Sequence, residues 1–173
     1  MNELYWYKYN LENLFGKATR GKRLKSADRI SGDLPFVTAG EADTGISAFI
    51  GNQVEVFNAN TVTIDMFGSA KYRNYAYGAD DHVAVVHCDK LAPNAAVFLT
   101  TAIHKVANAG QFSYARNFYA KDADELNISL PSKNGKPDYD FMATLANAVK
   151  KLVIADVVKY AEREEKVYQQ VIL

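Results

Sequence analysis

The chain has 173 residues, of which 49% are hydrophobic, 23% charged and 12% aromatic. This length suits one domain of ordinary size, and the composition excludes a wholly disordered or collagen-like chain. No apolar run reaches the roughly 18 residues of a membrane span, and the N-terminus lacks the features of a signal peptide. The single cysteine, Cys88, excludes an internal disulfide. We therefore expect a soluble, cytoplasmic protein that does not bind a membrane.

The first half of the chain has the β-branched, aromatic and partly alternating pattern of strands. The predicted strands are residues 4–9, 34–38, 45–50, 61–66 and 82–87. One helical turn is expected at residues 11–15. Glycine or aspartate separates several of these segments, which favours turns between them.

A basic segment lies between the helical turn and the second predicted strand. Residues 17–29 carry six basic side chains and one acid, Asp28, so their local charge is 6 − 1 = +5. The charged residues of the next segment, 30–70, are all acidic, while the whole chain is neutral with 20 basic and 20 acidic residues. Such segregation can create a basic face that binds nucleic acid. The alternative is a solvated, flexible loop.

The second half changes to a helical period. It predicts a helix at residues 94–108 with Asn94 as its N-cap, a short helix at 122–126, and a strand or extended exit at 127–131. Residues 132–137 form a polar break that we take as a domain boundary. The predicted domains are therefore residues 1–137 and residues 138–173.

The C-terminal segment is predicted to be one long helix. From Asp138 to about Gln170 the sequence has no glycine or proline, and Asp138 or Asp140 suits the helix N-terminus. About 30 residues at 1.5 Å each give a rod of roughly 45 Å, so the distal half should project from the domain. Its apolar stripe would serve dimerisation or subunit docking: Leu152, Val157, Tyr160, Val167, Tyr168 and Val171. The alternative is a helix folded back over its own sheet.

The sequence contains no motif that specifies an active site. There is no glycine-rich phosphate loop, and the histidines lack partners for nucleophilic catalysis. Asp80, Asp81 and His82 are contiguous at a strand entrance, where side chains alternate in direction, so we expect no metal site there. No cofactor is expected. The residues alone therefore predict an α/β (α+β) domain with a basic loop and a projecting helix.

An ordered set of segments resembles the target-recognition domain of the DNA-specificity (S) subunits of type I restriction–modification systems and their type II relatives. The matching segments are residues 20–24, 32–40, 45–46, 63–68, 78–83, 112–114, 128–131 and 137–142. Their order is more specific than any one of them. The resemblance implies one globular domain with a twisted mixed sheet, followed by a long helix. A full specificity subunit has two such domains and two helices, so this chain resembles half of one.

The resemblance also implies a function and partners. The chain would be a non-catalytic, sequence-specific DNA-recognition subunit that binds double-stranded DNA and directs methyltransferase (M) and possibly restriction (R) subunits to their target. We expect a homodimer through the C-terminal helix. Two alternatives stay open: a small metal-dependent nuclease that uses Asp65, Asp80 or Asp81, and a protein-interaction module that docks through the helix.

The candidate DNA contacts fall into two groups. Basic side chains would bind phosphates, which positions a protein without reading sequence. These are Lys17, Arg20, Lys22, Arg23, Lys25, Lys71 and Arg73. Forked or aromatic side chains could contact bases in the major groove. These are Tyr72, Asn74, Tyr114, Arg116 and Asn117.

Overall fold

The computed structural model describes residues 4–172, with side chains to residue 169. Strands and α-helices follow one another along this part of the chain as β1 (Tyr5–Asn10), α1 (Leu11–Phe15), β2 (Thr19–Arg20), β3 (Ser31–Val37), β4 (Ile46–Ile50), β5 (Thr61–Asp65), β6 (Ala70–Arg73), β7 (Gly78–Ala79), β8 (Val83–Val86), α2 (Pro93–Ala107), α3 (Ala120–Glu125), β9 (Asn127–Lys133), β10 (Lys136–Pro137) and α4 (Tyr139–Ile172). The predicted α/β class with a long C-terminal helix is confirmed.

The strands form three small sheets. The first has the antiparallel order β1-β9-β10, and the second has the antiparallel order β2-β8-β5-β6. The third is mixed, because β3 pairs antiparallel with β4 and parallel with β7. The first strand of the chain therefore pairs with the last long strand, which closes the domain.

The second sheet is covered on both faces. On β8, Ala84 and Val86 point into the main core with Leu99 of α2, whereas Val83 and Val85 join a second cluster with β3 and β7. This alternation follows from the two-residue period of a strand. Such burial explains why β8 is almost wholly apolar.

Two local predictions are corrected. Helix α2 begins at Pro93 and not after Asn94; Ala92 precedes it without a side-chain cap. Proline suits this first turn because its φ is fixed and its missing N–H would have no helical partner. The polar segment 132–137 is a hairpin, in which Lys133 pairs with Lys136 and the two turn residues have positive φ. The division into two domains at this point stays a prediction.

Helix α4 starts on the domain and then leaves it. The Asp138 carboxylate accepts a hydrogen bond from the backbone N–H of Phe141 at 2.9 Å, which confirms one of the two predicted capping residues. Met142 is fully buried, but from Lys151 to Gln169 every side chain except that of Ala155 is exposed. The helix has 34 residues, or about 50 Å. No helix within residues 4–172 has the length and hydropathy needed to cross a membrane.

Candidate nucleic-acid interface

The basic segment includes β2, the edge strand of the second sheet, and continues as an exposed loop beside β7 of the third sheet. None of its six cations has an ion pair in the described part of the chain. Arg29 is partly buried, and the other five are exposed: Lys17, Arg20, Lys22, Arg23 and Lys25. Uncompensated, solvated cations are the groups that exchange counterions for DNA phosphates. We call residues 17–25 the basic loop.

Backbone contacts hold the start of the basic loop against the domain. The N–H of Gly21 donates to the carbonyl of Val83 at 3.3 Å, and the N–H of Lys22 donates to the carbonyl of Ala79 at 3.0 Å. A Cβ atom on Gly21 would lie 1.9 Å from the Ala79 oxygen. Only glycine therefore allows this close approach.

Arg29 fixes the far side of the same loop, a role that the sequence did not predict. Its guanidinium donates to the Leu24 carbonyl and, at 3.1 Å, to the Ser47 hydroxyl, and it lies 5.0 Å from the centre of the Phe36 ring. The Leu24 N–H donates in turn to the Asp80 carboxylate at 3.3 Å. The loop is thus tied to β3, β4 and the turn before β8. Sequence gives no signal that separates Arg29 from its exposed neighbours.

Asp65 joins the neighbouring loops at the same end of the second sheet. Its Oδ1 accepts from the backbone N–H groups of Phe67 at 2.9 Å and Ser69 at 3.0 Å. Its Oδ2 lies 3.4 Å from the N–H of Gly40 and 3.7 Å from Nζ of Lys71. The carboxylate is buried and engaged by four donors. This geometry supports a structural role and not metal-dependent cleavage.

The two cations predicted on β6 differ from the basic loop. Arg73 is only 1% exposed, and it donates to the hydroxyls of Thr63 and Tyr75, both at 2.9 Å. The structure therefore contradicts its predicted contact with phosphate. Lys71 keeps 14% of its side chain exposed and pairs with Glu41 at 3.1 Å. The two residues share one face of β6, which packs beneath the loop at residues 38–45.

The candidate base contacts lie at two separate ends of the second sheet. Tyr72 and Asn74 are near the start of β5, since Arg73 pairs with Thr61. The Tyr72 hydroxyl donates to the side chain of Asn60 at 2.8 Å, whereas Asn74 is exposed. The other three candidates lie in the loop beside the end of β5, where the N–H of Phe118 donates to the carbonyl of Met66.

Of these three candidates, Tyr114 has a largely exposed side chain. It is 85% exposed and contacts the Phe67 ring edge-on at 5.1 Å. Arg116 lies 5.0 Å from the centre of the Phe112 ring, and its guanidinium binds both carboxylate oxygens of Asp122. Tyr114 is therefore free to contact a ligand, while Arg116 holds the loop.

The surroundings of two side-chain oxygen groups here need comment: the carboxylate of Asp122, in the first turn of α3, and the amide oxygen of Asn117. Burial opposes ionisation of Asp122, but the Arg116 guanidinium and the backbone N–H of Tyr119 outweigh it, so the pKa of Asp122 lies below its usual range. The side-chain oxygen of Asn117 is buried and has no hydrogen-bond partner in the described structure. That oxygen is therefore not accessible to a base.

A comparison with protein families identifies the domain. The family model of the type I restriction modification DNA specificity domain matches residues 4–159. The chain belongs to this family. The match covers the whole globular part and the first two-thirds of α4, and it confirms the resemblance inferred from the ordered segments.

Relatives of the specificity domain agree with this assignment. The specificity subunit of a type II restriction enzyme from Heyndrickxia coagulans is 27% identical over 146 residues, which cover 82% of this chain and 42% of that protein. The S subunit of a type I restriction–modification system from M. genitalium has the same fold, with a TM-score of 0.65 and 15% identity over 98% of this chain and 45% of that one. The HsdS subunit from Thermoanaerobacter tengcongensis gives a TM-score of 0.57 and 19% identity, covering 87% and 38% of the two chains. This chain spans less than half the length of these relatives.

The three side chains before β8 do not alternate in direction as the sequence analysis expects. Asp80, Asp81 and His82 lie in a turn and not on the strand, so their side chains converge and one ligand atom from each lies within 4.8 Å of the others. Asp80 already accepts the Leu24 N–H. In the specificity domain this turn supports the basic loop. The proximity of three side chains is not by itself evidence that a metal ion binds there.

The predicted docking stripe of α4 is exposed where the structure describes it. The exposed fractions are 73% for Leu152, 66% for Val157, 64% for Tyr160, 56% for Val167 and 68% for Tyr168. Val171 lies outside the side chains described. The alternative of a helix folded over its own sheet is therefore wrong for residues 151–169.

Proposed function

We propose that this chain is a non-catalytic DNA-specificity subunit of a restriction–modification system. The observation that carries the proposal is the basic loop: a row of exposed, unpaired cations held in place on a domain of the specificity family. In this role the domain selects a DNA site, and methyltransferase and possibly restriction subunits supply the chemistry. A cytoplasmic location follows from this function, because the DNA to be marked lies there.

The proposed division of labour separates phosphate contacts from base contacts. The cations at positions 17, 20, 22, 23 and 25 bind phosphates and set the orientation of the duplex. Tyr114 is the leading candidate for a base contact, because its ring is free, and Asn74 is the second. Arg116 and Tyr72 support the loops from which these residues act, through Asp122 and Asn60.

The salt dependence of DNA binding tests the phosphate contacts. We expect duplex affinity to fall with salt by about 0.9 logarithmic units per phosphate contact and per logarithmic unit of salt. Changing Arg20, Lys22, Arg23 and Lys25 together to alanine should flatten that slope by up to about 3.6. The slope is measured by fluorescence anisotropy on a labelled duplex at several salt concentrations.

A matched variant controls for the loss of charge. It replaces four exposed lysines outside the loop and outside α4 with alanine: Lys8, Lys90, Lys133 and Lys136. This variant should keep nearly the wild-type slope. An unchanged slope in the loop variant, or an equal change in both variants, would remove the basic loop from the interface.

The two alternative functions predict different results. A nuclease would cleave duplex DNA with magnesium and lose this activity in Asp65→Ala or Asp81→Ala, whereas we expect the isolated chain neither to cleave nor to methylate DNA. A pure protein-interaction module would not shift random duplex DNA in a gel at low salt. Either observation would displace the specificity-subunit proposal.

We further propose that the chain forms a two-fold homodimer through α4. Each large apolar side chain left in water forgoes roughly 1.5–3 kcal/mol of possible burial, and closed two-fold pairing is the commonest way to cover such a stripe. Light scattering on the intact chain and on a version ending at Ala155 tests this. A dimer that becomes a monomer on truncation supports the proposal. Monomers in both samples at micromolar concentration would identify α4 as a docking arm for another subunit.

A further inference from the structure

A polar cleft of about 410 Å³ opens beside the basic loop. One wall is the loop itself, at residues 22–24, and the buried side chain of Ala79 forms the floor. The opposite wall belongs to the connection between β4 and β5, at residues 53–55. We call residues 51–57 the rim segment. Because it faces the exposed cations of the loop across this cleft, it lies next to any duplex that those cations bind.

Contacts at both ends hold the backbone of the rim segment in place. At its start, the side chain of Asn52 accepts the N–H of Ile30 at 2.8 Å and donates to the carbonyl of Asp28 at 2.9 Å. At its end, Phe57 and Tyr77 exchange two backbone hydrogen bonds, at 2.8 and 3.1 Å. The segment therefore has a fixed position before any ligand binds.

Two polar side chains project from this fixed backbone. Val54 is partly buried and its methyl group lies against Gly78, whereas Gln53 and Glu55 on either side of it are exposed. Neither of the two makes a side-chain hydrogen bond or an ion pair within residues 4–169. Residues two positions apart in an extended chain are separated by about 7 Å, which is close to two base steps of about 3.4 Å. The pair can thus reach separate base pairs.

We propose that Gln53 and Glu55 contact base edges in the major groove of the DNA target and so determine part of its sequence. This inference rests on the proposed function and adds two specificity-determining residues to it. The Gln53 amide has a donor and an acceptor that match N7 and N6 of adenine. The Glu55 carboxylate accepts a hydrogen bond from N4 of cytosine.

The charges of the two walls favour this orientation of the duplex. Glu55 lines the cleft together with Lys22 and Arg23, yet it pairs with neither of them. Its carboxylate repels phosphates, while the two cations attract them. Both walls are satisfied when the phosphates lie on the basic loop and the base edges lie on the rim segment. Such like-charge repulsion disfavours other registers of the partner.

Selection from a random pool of duplexes tests the two residues. The full chain and its variants are incubated with the pool, and the bound fraction is sequenced. Glu55→Gln should change the preference at one position from cytosine towards adenine, because an amide replaces a group that only accepts. Gln53→Ala should lose the preference at a different position. The expected loss of discrimination at each affected position is roughly 5- to 150-fold.

Asp89→Asn is the matched control for Glu55→Gln. It also replaces one exposed carboxylate with an amide, but Asp89 follows β8, whereas the cleft borders β7 and the turn before β8. This variant should keep every base preference of the wild type. An equal change in the control and in Glu55→Gln would mean that net charge and not base contact is responsible, and would overturn the assignment of Glu55.

Disulfide trapping tests which groove the rim segment enters. A Gln53→Cys chain is mixed with a selected duplex that carries a disulfide-capped tether on the base whose preference Gln53→Ala loses. The native Cys88 does not compete, because it is buried and burial raises the pKa of its thiol to about 12. A tether on the major-groove edge should be trapped. Trapping only by a tether on the minor-groove edge would overturn the proposal.

The outcomes separate this inference from the proposed function. A wild-type chain that selects no sequence from the pool contradicts a DNA-specificity subunit and the two base contacts together. A wild-type preference that survives unchanged in Gln53→Ala or in Glu55→Gln leaves the proposed function in place. That result removes the substituted residue from the base-reading surface.

Discussion

At the scale of single residues, Asp65 shows how a carboxylate that invites a catalytic interpretation instead holds loops together. Its two oxygens face the N–H groups of Gly40, Phe67 and Ser69. Asp65→Ala should lower the free energy of unfolding by about 2–4 kcal/mol, because it leaves buried donors without partners. Urea unfolding measures this, with Asp33→Ala, an exposed change on β3, as the control. Equal stability of the two variants would contradict the structural role.

The ion pair between Arg116 and Asp122 predicts a pH dependence. The pKa of Asp122 is lower in the folded chain than its usual value near 4, so ionised Asp122 stabilises the fold above that pH. The contribution is lost as the pH falls through the lower, folded-state pKa. Asp122→Asn should therefore be less stable than wild type at pH 7, and the difference should shrink below about pH 4. Thermal unfolding from pH 7 to pH 3 tests this; a gap that does not change with pH would refute it.

The basic residues show what a sequence can and cannot give at this scale. The exposed cations of the loop could be predicted, because six basic side chains lie within residues 17–29. Lys71 and Arg73 have the same chemistry, yet they lie on a face of β6 that packs under another loop. The two-residue period places both on one face, but it does not say which face is covered. Tertiary packing decides that, and no local pattern records it.

At the scale of elements, the start of α4 depends on its N-cap. The Asp138 side chain accepts the Phe141 N–H, and its carbonyl accepts the Met142 N–H. Asp138→Ala should cost about 0.5–2 kcal/mol, and Asp138→Asn should retain most of the stability. Chemical denaturation of the three proteins measures the order. Asp140→Ala, an exposed change two residues later, serves as the control, and a larger loss there would contradict the cap assignment.

The longer elements could be predicted because their periods extend over many residues. The strands around residues 5–10, 46–50, 61–65 and 83–86 and the two long helices agree with the prediction within a few residues. The two-residue strands β2, β7 and β10 could not be found, since so short a segment has no period. The dipeptide Asn134-Gly135 is a common two-residue hairpin turn. The residues beside it are polar and do not alternate, so the sequence indicates a break there and not a pair of strands.

At the scale of the whole molecule, Gly21→Ala should separate DNA binding from folding and from dimerisation. The added Cβ would meet the Ala79 carbonyl, so the basic loop must move away from the sheet. We expect weaker duplex binding, with the oligomeric state unchanged in light scattering because α4 lies elsewhere. Ser26→Ala, an exposed change just after the loop, serves as the control. Wild-type affinity in Gly21→Ala would show that the position of the loop does not matter.

The way the basic loop is attached bears on how the strength of DNA binding could change. The loop is held by main-chain hydrogen bonds at Gly21 and Lys22, and by Arg29 through the Leu24 carbonyl. None of these contacts uses the side chains of Lys22, Arg23 or Lys25. Those side chains can therefore be exchanged by point substitution without loss of the scaffold. Affinity for duplex DNA and its dependence on salt can then change at little cost in foldability and without a change of target, and a library randomised at these positions is a practical way to tune that affinity.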